Sequence, residues 1–371
     1  MRVFMSTGEP SGDFLAAELG KAMRALEPGI ELSGIGGERM AAAGFHLTKR
    51  TTGWASLGPV EALTRIPPLL YSALRHLFWL AAQRFDLIVM VDFGAFNLRI
   101  AKWLRVLGYR GPILYFVPPG AWFDKAAQAR EVARLTTPLT PFAHQRDFYR
   151  SLGLPVAWFG HPLVSLVRPR SARPPAPEGG GTVGLLPGSR EAEVRRHMGP
   201  LLGACRLLRR QRPHLALVIA AAHAEAERWI ATALANEGAS GEVTIVRGAR
   251  ATLEAADAAF VASGTALLEA ALLEVPSVGL YILGQAQVGY ARRVLGRLPF
   301  VTLPNLLLGR EAIPEILQDD ATPETLAAAL EPLLRDPSAQ FATSRELRAA
   351  LGPPDALARC AEFAVGLART A

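Results

Sequence analysis

Cysteines, aromatic residues and long apolar runs are all scarce in this chain of 371 residues. The two cysteines, Cys205 and Cys360, lie far apart inside apolar helical patterns, which excludes a disulfide framework or a cysteine metal site and favours small core residues in a reducing compartment. No charge-free run reaches the roughly 18 residues that span a bilayer, and the apolar stretch at the N-terminus is too short for a signal peptide. The sequence therefore predicts a cytoplasmic protein that meets membranes only at its surface.

What the chain does have is apolar bulk and positive charge. Half of its residues are hydrophobic and the net charge is +7, and the length predicts about two domains. A basic balance favours an anionic partner such as nucleic acid, phospholipid or a phosphorylated metabolite, and a solvated arginine-rich surface explains it equally well. Nucleic acid is disfavoured because no basic stripe interleaved with aromatic residues occurs.

Short apolar runs alternate with helical patterns in both halves of the chain. The predicted strands are "RVFMST", "ELSGIGG", "DLIVMVD", "PILYFVP" and "PVAWFGH", then "TVGLL", "LALVIAAA", "EVTIVRG", "AAFVASG" and "SVGLYIL". The turn "GEPSGD" is predicted to precede a helix over "FLAAELGKAMRAL". This alternation is typical of parallel sheets covered on both faces. The predicted fold class is α/β, with two doubly wound, Rossmann-like lobes and a ligand-binding cleft between them.

Composition sets the predicted boundaries. Residues 168–181 are rich in Pro, Arg and Gly without apolar periodicity, which indicates a linker. It separates an N-terminal lobe, 1–167, from a C-terminal lobe, 182–342. Residues 343–371 form two predicted helices split by Gly-Pro-Pro, which pack back on the N-terminal lobe or cap the other one.

Two strand-to-helix turns in the second lobe have the composition of anion sites. In "GLLPGSREAEV", backbone N–H groups at the helix start attract anions, Gly188 permits close approach, and Arg190, after Ser189, can fork onto phosphate oxygens. A plain turn with a solvated arginine is the alternative.

The second turn, Ser263, Gly264 and Thr265 in "VASGTALLE", is followed four residues later by Glu269 on the same helix face as Thr265. The turn could bind a diphosphate while Glu269 accepts hydrogen bonds from ribose hydroxyls. An ordinary N-cap with a solvated glutamate is the alternative. Two such turns in one lobe favour a pocket for a nucleoside diphosphate.

Five motifs occur in the order seen in lipid A disaccharide synthases: "STGEPSGD", "VDFGAFN", "LLPGSREAEV", "ASGTALLE" and "LPNLLLGREAIPEILQ". The chain resembles that family over nearly its whole length. The resemblance implies a glycosyltransferase of the two-lobed GT-B type. Such an enzyme moves 2,3-diacylglucosamine from UDP onto 2,3-diacylglucosamine 1-phosphate, with inversion, without a metal or other cofactor.

The same resemblance assigns roles to individual residues. Asp92, at the end of "DLIVMV", matches the family's candidate general base, and a carboxylate suits removal of a proton from the attacking hydroxyl; a turn or N-cap role is the alternative. The implied UDP-binding residues are Gly188, Ser189, Arg190, Ser263, Gly264, Thr265, Glu269 and Asn305. The implied acceptor-side residues are Gly8, Glu9, Ser11, Gly12, Asp13, Asn97 and Trp122.

The departures from the family pattern lie in the first lobe. Gly94 and Ala95 replace a Pro and an Asp of the family, and "PPGAWFDKAAQAR" keeps Trp122 but loses adjacent cations. These changes leave the acceptor open. The apolar and basic segment 59–85 is either an interfacial helix on the cytoplasmic face of the inner membrane or a core helix pair.

Competing functions remain at this stage. A related glycosyltransferase could use a UDP-sugar and a different lipid acceptor, and a UDP-sugar 2-epimerase has the same architecture. Whether the chain acts as a homodimer is also open.

Overall fold

Two six-stranded parallel sheets form the framework of this computed structural model, which describes residues 1–51, 77–120, 125–170, 176–284 and 298–370. The chain divides into two compact units. The first comprises Met1–Leu166 and Leu351–Ala371, and the second comprises Val167–Ala350.

The first unit is a doubly wound sheet. Its strands are β1 (Arg2–Ser6), β2 (Glu31–Gly36), β3 (His46–Arg50), β4 (Leu87–Val91), β5 (Ile113–Phe116) and β6 (Thr137–Leu139). Its helices include α1 (Pro10–Leu26), α2 (Glu38–Ala42), α3 (Gly94–Val106), α4 (Ala126–Leu135), α5 (Ala143–Ser151), α6 (Leu163–Leu166) and, from the end of the chain, α14 (Ala356–Arg369). The strand order is β3-β2-β1-β4-β5-β6, which is the order of the Rossmann fold.

Both faces of this sheet are buried, which explains why its central strands are apolar at successive positions. Val3 and Met5 of β1 pack with α1 and α14, whereas Phe4 packs on the other face with α3. A strand buried on both faces loses the alternation of apolar and polar residues.

The second unit repeats this plan. Its strands are β7 (Thr182–Leu186), β8 (Ala216–Ala221), β9 (Thr244–Arg247), β10 (Ala258–Ala262), β11 (Ser277–Tyr281) and β12 (Glu315–Leu317). Its helices include α7 (Glu191–Gln211), α8 (Ala224–Asn236), α9 (Ala249–Ala255), α10 (Thr265–Leu272), α11 (Leu303–Leu308), α12 (Pro323–Arg335) and α13 (Ser338–Leu351). The strand order is β9-β8-β7-β10-β11-β12. The predicted α/β class with two Rossmann-like lobes is therefore confirmed.

Two local predictions were wrong. "PVAWFGH" is not a strand: Ala157 makes an isolated bridge to Leu139, and the chain turns away at Gly160, where φ is +101°. The helix after β1 begins at Pro10 rather than after Asp13, because proline suits the first helical position, where no N–H is needed.

Among the described residues, no helix is both long enough and apolar enough to cross a membrane.

Candidate active site

The carboxyl ends of β1 and β4 carry the first group of predicted site residues. A side chain on Gly8 would come within 2.5 Å of the Phe93 ring, so glycine lets the loop after β1 approach the turn after β4. The helices that follow these strands, α1 and α3, pack on opposite faces of the sheet. This junction is thus the topological switch point, where open α/β sheets bind ligands.

Asn97 fastens the two strand ends together. Its Nδ2 donates to the carbonyl oxygens of Asp92 at 2.9 Å and of Val91 and Ser6 at 3.2 Å, and its Oδ1 accepts from Ser6 Oγ at 2.9 Å. The side chain is wholly buried. Asn97 thus supports the site internally, and its place on the acceptor side stays a prediction.

The turn after β4 is strained. Asp92 and Phe93 have φ angles of +49° and +54°, a region that residues other than glycine avoid at a cost on the order of 1–3 kcal/mol each. Such strain persists only where surrounding contacts hold it. The turn points Asp92 away from the regular course of its strand.

The carboxyl group of Asp92 has unusual acidity. Burial and, to a smaller extent, the charge of Glu9 raise its pKa to about 6, against the effect of a hydrogen bond from the Phe93 backbone. The structure therefore brings Gly8, Glu9, Asp92 and Asn97 together. A carboxylate with a pKa near 6 is well matched to accept a proton at neutral pH.

The other members of the first loop have different surroundings. Asp13 is buried, and its Oδ1 accepts from the N–H of Gly37 at 2.6 Å while its Oδ2 accepts from that of Arg39 at 3.0 Å. Asp13 thus caps α2, and its place on the acceptor side stays a prediction. Gly12 faces Thr7, whose hydroxyl leaves no space for a side chain there. Ser11 is half-buried in the first turn of α1.

In the second unit, the Pro-Gly-Ser-Arg turn is occupied by the chain's own carboxylate. Glu193 Oε2 accepts from the N–H of Ser189 at 3.0 Å and of Arg190 at 3.3 Å, and Oε1 accepts from Arg190 Nη1 at 2.9 Å. A side chain on Gly188 would collide with Glu193. The two N–H groups expected to bind phosphate are therefore satisfied internally, and what the turn offers a ligand is the half-exposed Arg190 guanidinium.

Two histidines also hold this turn, and neither was singled out from the sequence. His197, wholly buried, binds the Pro187 carbonyl oxygen through Nδ1 at 2.6 Å and accepts from the N–H of Ile282 through Nε2 at 3.0 Å. His223 caps α8 through Nδ1 and donates from Nε2 to the Ser189 carbonyl oxygen at 3.0 Å. His197 lies in the second turn of α7, and His223 lies between β8 and α8.

The second turn is open. Gly264, the N-cap of α10, has a φ of +151°, and a side chain placed on it would meet no atom within 4 Å. Ser263 and Thr265 on either side are half-buried. The space next to Gly264 and the N-terminus of an eight-residue helix together suit an anion.

Glu269 has a partner that the sequence did not reveal. Arg250 of α9 donates from Nε to Glu269 Oε1 at 2.9 Å. The Glu269 side chain keeps 17% of its surface exposed. The pair gives the carboxylate a fixed orientation while its remaining lone pairs can still accept hydrogen bonds.

Asn305 holds the loop after α11 in place. It is wholly buried, its Oδ1 accepts from the N–H groups of Ala312 and Ile313 at 2.9 Å, and its Nδ2 donates to the Ile313 carbonyl oxygen at 2.9 Å. Glu315 accepts from the N–H groups of Val301 and Thr302 before α11. Asn305 and Glu315 thus stabilise the "LPNLLLGREAIPEILQ" block internally, and a contact between Asn305 and UDP stays a prediction.

Trp122 lies outside the described residues, as does most of the segment 59–85.

Two Rossmann-like units of equal strand order are the GT-B fold. Solved structures share the fold. MurG from Acinetobacter baumannii has a TM-score of 0.54 and 15% identity, over 98% of this chain and 99% of that one. A UDP-GlcNAc 2-epimerase from Neisseria meningitidis, solved with UDP-GlcNAc, has a TM-score of 0.55 and 11% identity, over 100% of both chains.

The sequence narrows this class to one family. The family model of lipid-A-disaccharide synthetase matches residues 3–352 of this chain. The lipid-A-disaccharide synthase of Synechocystis sp. is 36% identical over 388 aligned residues, which cover 99% of this chain and 98% of the relative. The chain belongs to the lipid-A-disaccharide synthetase family and is a glycosyltransferase.

Proposed function

We propose that this protein transfers 2,3-diacylglucosamine from UDP to 2,3-diacylglucosamine 1-phosphate. The observation that carries the proposal is the Asp92 carboxylate, held at the switch point of the first unit with its pKa raised to about 6, in a chain that matches this family over residues 3–352.

The transfer is a single displacement. The acceptor's hydroxyl oxygen attacks the anomeric carbon, the bond from that carbon to the UDP oxygen breaks, and Asp92 takes the hydroxyl proton. UDP leaves with the electron pair of the broken bond. A half-buried carboxylate serves as the base because it is ionised at neutral pH but remains basic enough to accept the proton.

The second unit holds UDP in this proposal. The open turn Ser263–Gly264–Thr265 takes the diphosphate at the start of α10. Arg190 supplies positive charge to the leaving group, which stabilises the charge that develops in the transition state. Glu269, oriented by Arg250 at 2.9 Å, accepts the ribose hydroxyls. Positive charge from arginine replaces a metal ion, so no cofactor takes part.

Transfer to a lipid acceptor other than 2,3-diacylglucosamine 1-phosphate is the main alternative. It is favoured by Gly94 and Ala95, which stand next to Asp92 where the family has a Pro and an Asp. Because acylated sugars reside in bilayers, we further propose that the protein works at the cytoplasmic face of the inner membrane, without nucleic acid.

The deciding experiment offers the purified protein UDP-diacylglucosamine together with a set of acceptors. Mass spectrometry should detect the tetraacyl disaccharide phosphate and UDP only with diacylglucosamine 1-phosphate. A product on another lipid would establish the alternative acceptor. Conversion of a UDP-sugar without any acceptor would identify an epimerase and would overturn the proposal.

A further inference from the structure

A buried tyrosine on the strand next to β4 contacts the strained turn from beneath. Tyr115 of β5 is fully buried and pairs in register with Met90, two residues before Asp92. Its hydroxyl lies 3.2 Å from the Asp92 carbonyl oxygen and 3.0 Å from the Gly94 carbonyl oxygen. One phenol therefore bridges the two carbonyls that flank Phe93.

These two contacts span the strained part of the backbone. Asp92 and Phe93 carry the positive φ angles of +49° and +54°. The Tyr115 hydroxyl lies within hydrogen-bond distance of the carbonyl oxygens of Asp92 and Gly94, the residues before and after Phe93. The Asp92 carbonyl oxygen also accepts from Asn97 Nδ2 at 2.9 Å. The backbone N–H of Asp92 donates to the Phe116 carbonyl oxygen at 3.0 Å. A left-handed pair of residues without glycine stays in place only under such restraint.

We propose that Tyr115 is a positioning residue for transfer: its hydroxyl fixes the left-handed turn and thereby directs the Asp92 carboxylate at the acceptor hydroxyl. The inference rests on the proposed function of Asp92. The "ILYF" sequence of β5 is apolar and buried, so the pattern alone predicts that Tyr115 is only a core residue.

Tyr115 acts as a donor in this arrangement. Burial and the nearby Asp92 raise the pKa of its phenol, so the hydroxyl keeps its proton throughout the working range. Among the described residues, the titratable groups that act on Asp92 and Tyr115 are Glu9, before α1, and Tyr149, on α5. Neither replaces the hydroxyl's contacts with the two carbonyls.

The test removes the hydroxyl alone. Tyr115→Phe keeps the ring in the core and leaves the two carbonyls without this donor. The turn should therefore relax, and the Asp92 carboxylate should no longer point at the acceptor hydroxyl. We expect kcat to fall about tenfold to a hundredfold, as for a misplaced catalytic group, while the KM for the UDP donor changes less than about twofold. The acidic limb of the kcat–pH profile should also move to lower pH, because a loosened turn admits water to Asp92.

A matched control is available in the same unit. Tyr109 is also buried, and its hydroxyl donates to the Phe85 carbonyl oxygen at 3.1 Å, away from the turn. Tyr109→Phe should leave kcat within about twofold of the original. Equal kcat values for the two variants would overturn the inference, as would a fall in Tyr115→Phe that appears only in KM.

Two further measurements separate the possible failures. UDP calorimetry and thermal unfolding establish that both tyrosine variants are folded. Asp92→Asn, assayed alongside, tests the base itself: an active Asp92→Asn enzyme refutes the proposed function, whereas an inactive one beside a fully active Tyr115→Phe enzyme refutes only the positioning role.

Discussion

Asp92 combines a left-handed backbone with a half-buried carboxylate. Each feature is unfavourable for folding, since positive φ costs on the order of 1–3 kcal/mol and burial opposes ionisation. Contacts from Asn97 and Tyr115 hold the geometry. A site that retains two unfavourable features with dedicated supports is typical of catalysis.

The pKa of Asp92 sets the pH dependence. Since burial and Glu9 raise that pKa to about 6, the carboxylate gains its proton, and transfer is lost, as the pH falls through about 6. We expect an acidic limb near this value in kcat/KM, and Asp92→Asn should lower kcat by about a hundredfold or more with little change in UDP affinity. A parallel loss of UDP binding in calorimetry would contradict the role as base.

Glu269 and Arg250 make a specific prediction about the ribose. Glu269→Gln should weaken UDP binding about tenfold, the effect of a hydrogen bond to a charged acceptor, and should reduce the preference for UDP over its 2′-deoxy analogue. Calorimetry with both nucleotides measures this preference. Glu191→Gln is the control, because Glu191 is exposed at the start of α7 and pairs only with Arg195 at 2.9 Å among the described residues. An unchanged preference would exclude a ribose contact.

In both units, side chains stabilise the N-terminal ends of helices. Asp13 caps α2, Glu193 closes the turn before α7, His223 caps α8 and Glu315 supports the start of α11. In each case a side chain satisfies N–H groups that the helix leaves without partners. The loops of the site are thus fixed before any substrate binds.

Loss of the Asp13 cap should destabilise the first unit. Asp13→Ala leaves the N–H groups of Gly37 and Arg39 without their acceptor, and we expect a loss of about 2 kcal/mol in the free energy of unfolding. Urea denaturation measures it. Asp355→Ala serves for comparison, because Asp355 starts α14 without a side-chain capping bond and should change stability far less. An equal loss in both variants would mean that Asp13 is not a cap.

The sequence predicted all the inner strands of both sheets, and of the four edge strands it predicted β9 but not β3, β6 or β12. β1, β4, β7 and β10 are buried on both faces and therefore form apolar runs. β6 and β12 contain only three residues each, and β3 is mostly polar, because strands at or near a sheet edge are short and partly solvated. "PVAWFGH" has strand composition but pairs with β6 only through Ala157.

The prediction of site residues had a similar limit, because local spacing carries no information on contacts between distant residues. Turns that follow strands can be located from spacing alone, and Asp92, Gly264 and Glu269 lie where that reasoning placed them. What a side chain bonds to inside the protein depends on distant residues, so the internal hydrogen bonds of Asp13, Asn97 and Asn305 could not be predicted. Glu193 was a missed signal, since a glutamate at the third helical position often closes a capping box.

At the scale of the whole molecule, one plan of strands occurs twice with different chemistry at its switch points. The first unit carries a half-buried acid after β4, and the second carries glycine turns and arginines after β7, β9 and β10. In the proposed reaction the first unit deprotonates and the second binds an anion. Neither task uses a metal ion.

This division predicts a metal-independent enzyme. Because Arg190 and the N-terminus of α10 neutralise the leaving diphosphate in the proposed reaction, transfer should continue at more than about half its rate in excess EDTA, with no stimulation by magnesium or manganese. Product formation by mass spectrometry measures it. Loss of turnover in EDTA that a divalent ion restores would contradict this account.

The last helix has a consequence for how the protein is made. Leu357, Cys360, Ala364 and Ala368 of α14 are buried with Leu19 of α1, so the unit that begins the chain is completed by its final residues. On the ribosome, the intervening unit emerges in full while the first still has an uncovered apolar face. A premature stop before α14 would therefore leave an apolar face of the first unit uncovered, although the stop lies after the whole second unit.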